Sequence, residues 1–192
     1  MTTGIFGGTF DPPHLGHLLV AEFARAELGL DRVLFIPAAS PPHKTHVNVT
    51  PPVHRLAMVR LAVQRNSAFV VDDREIRRGG VSYTLDTLNE LSVDDSLGAL
   101  VLLIGQDNML EFSTWKSPEQ IVELARVVVL TRPGFSLESR PPLSHAMTLC
   151  EVPEIDISSR DIRRRVREGL SIRYLVPEAV ASYIGEHHLY TG

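Results

Sequence analysis

Apolar and polar residues follow two rhythms along this chain. Short apolar or β-branched runs of strand length fall at Gly4–Phe6, Arg32–Ile36, Phe69–Asp72, Ala99–Ile104, Arg126–Leu130 and Thr148–Val152. Between them lie stretches with helical spacing, at His14–Leu28, Pro52–Gln64, Ser82–Leu91, Pro118–Leu124, Arg160–Glu168 and Pro177–His187. Strands that alternate with helices predict an α/β domain on a mainly parallel sheet. Local signals mark some of the ends. Ser117, Pro118 and Gln120 read as an N-cap, a first-turn proline and a capping-box partner. Ser158 and Asp161 have capping-box spacing, and Gly169 closes that helix.

The chain has 192 residues, enough to bury roughly 70% of its unfolded surface without a disulfide or metal staple. A single domain over residues 1–192 is expected. Its formal net charge is −4, so no overall basic field favours nucleic acid. Cys150 is the sole cysteine, which excludes an internal disulfide and any Cys-cluster zinc site. The longest apolar run, Leu97–Ile104, is far short of the ~18 residues of a membrane span. The N-terminus lacks a signal-peptide core, and a cytoplasmic location is expected.

The unusual residue clusters fall just after the predicted strands. They are Gly7-Gly8-Thr9, Pro37 to Lys44, Gly105-Gln106-Asp107 and Arg132-Pro133-Gly134. Ligands of open α/β sheets lie outside the carboxyl ends of the strands, where strand order reverses, so converging loops imply a small-molecule pocket. Loops are also simply where Gly and Pro collect, which is the plainer alternative.

The segment Gly4 to His17 reads as strand, glycine turn and helix start. Glycines let the backbone approach a ligand, and the free N–H groups of a helix start favour an anion. The Gly-Lys-Ser/Thr ending of a Walker A loop is absent, and so is the dinucleotide GxGxxG fingerprint. His14 and His17, three residues apart, share one helix face beside this turn. Two imidazoles there would donate to phosphate oxygens and neutralise charge that builds in phosphoryl or nucleotidyl transfer. A paired-His metal site is the rival reading, but no Cys, Asp or Glu at ligand spacing accompanies it.

Gly7-Gly8-Thr9-Phe10-Asp11-Pro12 followed by His14, Gly16 and His17 resembles the signature of the HxGH nucleotidyltransferase superfamily. Further matches resemble the bacterial nicotinate mononucleotide adenylyltransferases. They are Pro41-Pro42-His43-Lys44, Ser82-Tyr83-Thr84, Gly105-Gln106-Asp107, Thr114-Trp115, Arg132-Pro133-Gly134 and Ile157-Ser158-Ser159 with Arg163. They run in family order over nearly the whole chain.

The resemblance implies an α/β, Rossmann-like doubly wound fold with a mainly parallel sheet and helices on both faces. It implies transfer of AMP from Mg-ATP to nicotinate mononucleotide, with Mg2+ carried by the ATP phosphates and no protein metal site. His14, His17 and Arg163 would be catalytic. Gly7, Gly8, Thr9 and Phe10 would hold ATP phosphates, as would Ile157, Ser158 and Ser159, with the two serines donating. Gly105 and Asp107 would meet the adenosine. His43, Lys44, Tyr83, Thr84, Trp115, Lys116 and Arg132 would face the acceptor, with Trp115 stacked on the pyridine ring. Carboxylate over carboxamide selectivity would come from a donor-rich site that leaves groups unpaired on the wrong ligand, and Lys116 would reinforce it.

One position departs from the pattern. The family usually has Thr after the two small residues of its last motif, where this chain has Arg160, expected to point outward. The basic run Arg160–Arg167 also invites a nucleic-acid reading, but a solvated helix face explains most of its arginines. His46, His54, His187 and His188 are expected to serve only local solvation or packing. Alternatives keep the chemistry on nicotinamide mononucleotide or phosphopantetheine, or make the chain a nucleotide sensor. Intact His14, His17 and Arg163 speak against a sensor. No nucleic-acid or membrane partner is expected, and a homo-oligomer is compatible with the sequence.

Overall fold

The computed structural model describes residues 1–41, 49–131 and 141–191. Six strands form one sheet: β1 (Thr2–Gly8), β2 (Arg32–Pro37), β3 (Phe69–Val71), β4 (Ala99–Gly105), β5 (Arg126–Thr131) and β6 (Met147–Glu151). Their order is β3-β2-β1-β4-β5-β6, and every pairing is parallel. The helices are α1 (Leu15–Glu27), α2 (Pro52–Val63), α3 (Arg74–Arg78), α4 (Thr84–Ser92), α5 (Gln106–Glu111), α6 (Pro118–Leu124), α7 (Ser159–Arg167) and α8 (Glu178–Glu186). Strand order runs one way from β1 to β3 and the other way from β4 to β6. The reversal between β1 and β4 is the crevice of a doubly wound sheet.

Alternate residues along each central strand point to opposite faces and enter different cores. Ile5, Leu34, Ile36, Leu102, Ile104, Val127 and Val129 pack with α4 and α6 residues such as Leu88 and Ile121. Val33, Phe35, Val101, Leu103, Val128 and Leu130 pack with Ala21 and Ala24 of α1 and Val59 of α2. Burial on both faces is why these strands read as near-continuous apolar runs. A smaller cluster joins Met58 of α2, Ile162 of α7, and Val180 and Ile184 of α8.

The predicted strands match the observed ones to within two residues at either end. Two short helices were not predicted. α3 and α5 are too brief to show a period, and α5 takes Gln106 and Asp107 out of the expected loop. The cap at Ser117 also differs: its backbone is left-handed (φ 46°) and its side chain caps nothing. The Ser117 carbonyl accepts the Gln120 N–H at 3.1 Å instead. Ser158 does cap α7, accepting from the Asp161 N–H at 3.1 Å. No helix among the described residues is long and apolar enough to cross a membrane.

Candidate active site

β1 ends at Gly8 against the reversal point, and β4 ends beside it at Gly105. A Cβ at Gly7 would meet nothing within 4 Å, so the missing side chain leaves open space at the crevice. A Cβ at Gly8 would stand 3.0 Å from the Phe10 ring. That ring folds back because Phe10 has a left-handed backbone, φ 49°. It packs edge-on against Phe6 at 5.8 Å and against His17 at 5.1 Å. A glycine turn and an aromatic cushion thus fix where His17 stands.

The two histidines differ in character. His14 is the N-cap residue of α1 and is 7% exposed. Its Nδ1 has no hydrogen-bond partner among the described residues, and burial lowers its pKa to about 4. His17 stacks on it at 3.7 Å between centroids and accepts the His14 backbone N–H through Nδ1 at 3.2 Å. A neutral His17 therefore carries its proton on Nε2. Stacked imidazoles this close would repel if both were charged. At neutral pH His14 is the uncharged support and His17 the donor that reaches the cavity.

That cavity, about 380 Å3, is lined by Thr9, Phe10, Asp11, His17, Val49, Ser159, Arg160 and Arg163. It combines the Thr9–Asp11 segment that follows the glycines, an imidazole, two guanidiniums and the start of a nine-residue helix, an arrangement suited to phosphate. Arg163 is anchored, its Nη1 donating to the Asp11 carbonyl at 2.6 Å. Ser159 donates to the Pro12 carbonyl at 2.8 Å, and the Ser158 oxygen is taken by the cap. The Ser159 proton, expected to go to phosphate, is thus spent on tying α7 to the turn, whereas Ser158 accepts at the cap and keeps its own proton to donate. Arg160, expected to point outward, is exposed yet lines the cavity. Farther along, Arg164 pairs with Asp161 and Glu168, and Arg165 donates to the Ser171 carbonyl. Those arginines form a solvated, self-paired face.

A second cavity, about 440 Å3, opens on the other side of Thr9. Gly7, Gly8, Tyr83, Thr84, Trp115 and Lys116 all line it. Trp115 lies 5.1 Å from Phe112, and its indole Nε1 is buried with no partner among the described residues. Thr84 opens α4, so the first-turn amides of that helix lie at the cavity. Lys116 lies 5.0 Å over the Tyr83 ring, but its ammonium is paired with Asp86 at 2.7 Å. In this state its charge is compensated by Asp86 while the side chain still lines the cavity.

Other expected residues fall nearby. Gly105 and Asp107 stand at the β4–α5 junction, with Asp107 exposed. The Ile157 side chain packs against the α2–α7–α8 cluster, so any ligand contact is left to its backbone. His43, Lys44 and Arg132 lie outside the described residues. His54 meets the Tyr183 hydroxyl at 2.9 Å and packs near His187, a local role as expected.

Two buried charged residues escaped the sequence reading. Glu75 lines the second cavity at 7% exposure and accepts from the Thr87 hydroxyl at 2.6 Å. Burial raises its pKa, against the pull of that hydrogen bond. Arg55 is fully buried and donates to the carbonyls of Thr50, Thr9 and Ala39. A signal for Arg55 exists: it shares the helical stripe of Met58, Val59 and Val63, where a charge is out of place. Glu75 leaves no such trace in a five-residue helix.

A model of the cytidylyltransferase-like family matches residues 5–165. A relative from Thermomicrobium roseum, named a probable nicotinate-nucleotide adenylyltransferase, is 47% identical over 97% of this chain and 90% of its own. One of the same name from Thermus thermophilus is 47% identical over 99% of this chain and 100% of its own. Among solved structures, Plasmodium falciparum nicotinic acid mononucleotide adenylyltransferase complexed with NaAD superposes with a TM-score of 0.80 at 18% identity. It covers 98% of this chain and 97% of that one, which shows the shared fold. Sequence, fold and the crevice at the strand reversal agree: the chain belongs to the nicotinate-nucleotide adenylyltransferase family of cytidylyltransferase-like enzymes.

Proposed function

We propose that this chain transfers the adenylyl group of ATP to nicotinate mononucleotide, giving nicotinate adenine dinucleotide and pyrophosphate. The observation that carries the reading is the meeting at Thr9 of two unlike cavities, one cationic and one largely apolar. An oxygen of the acceptor's 5′-phosphate attacks the α-phosphorus. The bond from that phosphorus to the bridging oxygen of the β-phosphate breaks, and pyrophosphate leaves with the electron pair. The attacking phosphate is already ionised at neutral pH, so no general base is required. What remains is positioning and charge stabilisation.

His17 donates Nε2–H to the α-phosphoryl oxygens as charge develops, with His14 holding its ring. The amides of Gly8 to Phe10 cradle the phosphates, and Arg163, Arg160 and the start of α7 take the leaving pyrophosphate. Asp107 accepts from the ribose hydroxyls beside Gly105. Magnesium fits this site as part of Mg-ATP. The lining donors suit phosphate oxygens, and the Asp11 carboxylate already accepts from Tyr190 and Thr50. The ion, held by phosphate oxygens and water, would supply charge neutralisation on the triphosphate.

In the second cavity Trp115 stacks on the pyridine ring and Tyr83 forms a wall. The first-turn amides of α4 at Thr84, with the backbone near Trp115–Lys116, bind the ring carboxylate. His43, Lys44 and Arg132 are further proposed contacts. A cytoplasmic location belongs to the same proposal. The test is pyrophosphate release from Mg-ATP with nicotinate mononucleotide, nicotinamide mononucleotide and phosphopantetheine in parallel. Release strongest with the nicotinate acceptor supports the reading; release with phosphopantetheine alone contradicts it.

A further inference from the structure

The phosphate turn takes a backbone course that its own residues disfavour. Phe10 combines a bulky side chain with φ 49°, yet it is only 2% exposed. Contacts from three distant parts of the chain hold it there. From α2, the buried Arg55 donates Nη1 to the Thr9 carbonyl at 2.8 Å, Nη2 to Ala39 at 3.0 Å and Nε to Thr50 at 2.8 Å. From α7, Arg163 and Ser159 grip the carbonyls of Asp11 and Pro12. From beyond α8, the Tyr190 hydroxyl donates to Asp11 Oδ1 at 2.7 Å. Asp11 Oδ2 accepts the Thr50 N–H at 3.2 Å, and the carboxylate lies within electrostatic reach of Arg55.

Tyr190 reaches this position by an uncommon path. His188 at φ 49° and Tyr190 at φ 66° are both left-handed, and they turn the tail back toward the first strand's loop. Burial beside Asp11 pushes the phenol pKa upward, so the hydroxyl stays a donor. Its ring leans on the small α2–α7–α8 cluster and not on either sheet core. Asp11 and Thr9, the residues this network holds, both line the phosphate cavity.

We propose that Tyr190, acting through the Asp11 carboxylate with Arg55 as its counter-charge, is a positioning residue for the transfer step. The C-terminal turn thereby sets the Thr9–Pro12 segment so that its amides and His17 meet the triphosphate. This inference rests on the adenylyltransferase reading above.

The experiment compares wild type, Tyr190→Phe, Asp11→Asn and the double variant in steady-state turnover, with melting curves on the same samples. Tyr190→Phe keeps the ring and removes only the hydroxyl. The expected result is a roughly tenfold lower kcat and a higher KM for ATP, with KM for nicotinate mononucleotide within twofold and melting within a few degrees of wild type. Because both residues act through one contact, the double variant should be no slower than Asp11→Asn. Wild-type turnover in a folded Tyr190→Phe enzyme overturns the proposal, as does independent addition of the two effects. A wild type inactive with every acceptor counts against the adenylyltransferase reading instead.

Discussion

The phosphate cavity and the acceptor cavity share Thr9 and otherwise use different residues and different physics. The first is lined by His17, Arg160 and Arg163 and takes its shape from polar contacts, Arg163 to Asp11 and Ser159 to Pro12. The second is walled by Ile5, Ile36, Leu102 and Trp115, with Glu75, Ser82, Thr84 and Thr87 as polar points among them. In the first, on the reading proposed above, charge that develops during reaction meets fixed donors. In the second, on the same reading, apolar surface and the rings of Trp115 and Tyr83 hold the pyridine ring while backbone amides take its carboxylate. Turnover and acceptor choice should therefore respond to different mutations.

The largest effect belongs to His17. His17→Ala should lower kcat by about 10²-fold or more, the scale for losing one preorganised donor to a transition state. Steady-state pyrophosphate release with a melting curve checks this, and near-wild-type turnover in a folded variant would refute the role. His14, which holds the His17 ring, should show itself in stability as well as in rate. Burial lowers its pKa to about 4 in the folded protein, from an ordinary value of 6.5. The unfolded chain thus binds more protons between those values, and stability falls as pH drops from 6.5 toward 4. The loss should approach roughly 2–3 kcal/mol. His14→Gln should flatten that slope in denaturant titrations, and an unchanged slope would assign it to other groups.

Effects on single substrates come next. Trp115→Ala should raise KM for nicotinate mononucleotide about tenfold, from lost ring contact, with KM for ATP nearly unchanged. Equal loss for both substrates would mean that Trp115 is only a packing residue. Arg160→Ala should be mildest, raising KM for ATP about threefold, because an exposed guanidinium is screened by water and salt. The effect should shrink at high ionic strength; a salt-independent change would show that Arg160 acts otherwise.

The same contrast explains what the sequence revealed. Apart from Val49, the phosphate cavity is lined from two short stretches, Thr9 to His17 and Ser159 to Arg163, so spacing along the chain carried its geometry. The positions of the strands along the chain were equally readable, since both-face burial writes apolar runs into them. The acceptor cavity gathers β1, β2, α3, α4, β4, α5 and the Trp115 turn. There Tyr83, Thr84 and Trp115 were legible, while Glu75 was not, because nothing local marks its burial. The surroundings of Arg160 and Lys116 were hidden for a related reason. Sequence supplies a charge, but only the fold shows that Asp86 compensates Lys116 and that Arg160 borders the cavity. Ser158 and Ser159 were legible as a helix start, while the fold adds that the Ser159 hydroxyl donates to Pro12 and that Ser158 accepts from the Asp161 N–H.

Calorimetric titration of wild type, Trp115→Ala and Arg160→Ala with nicotinate mononucleotide and a non-hydrolysable ATP analogue tests the division of labour most directly. Trp115→Ala should weaken only the mononucleotide, and Arg160→Ala only the ATP analogue. Loss of both ligands in either folded variant would contradict two separately specialised cavities.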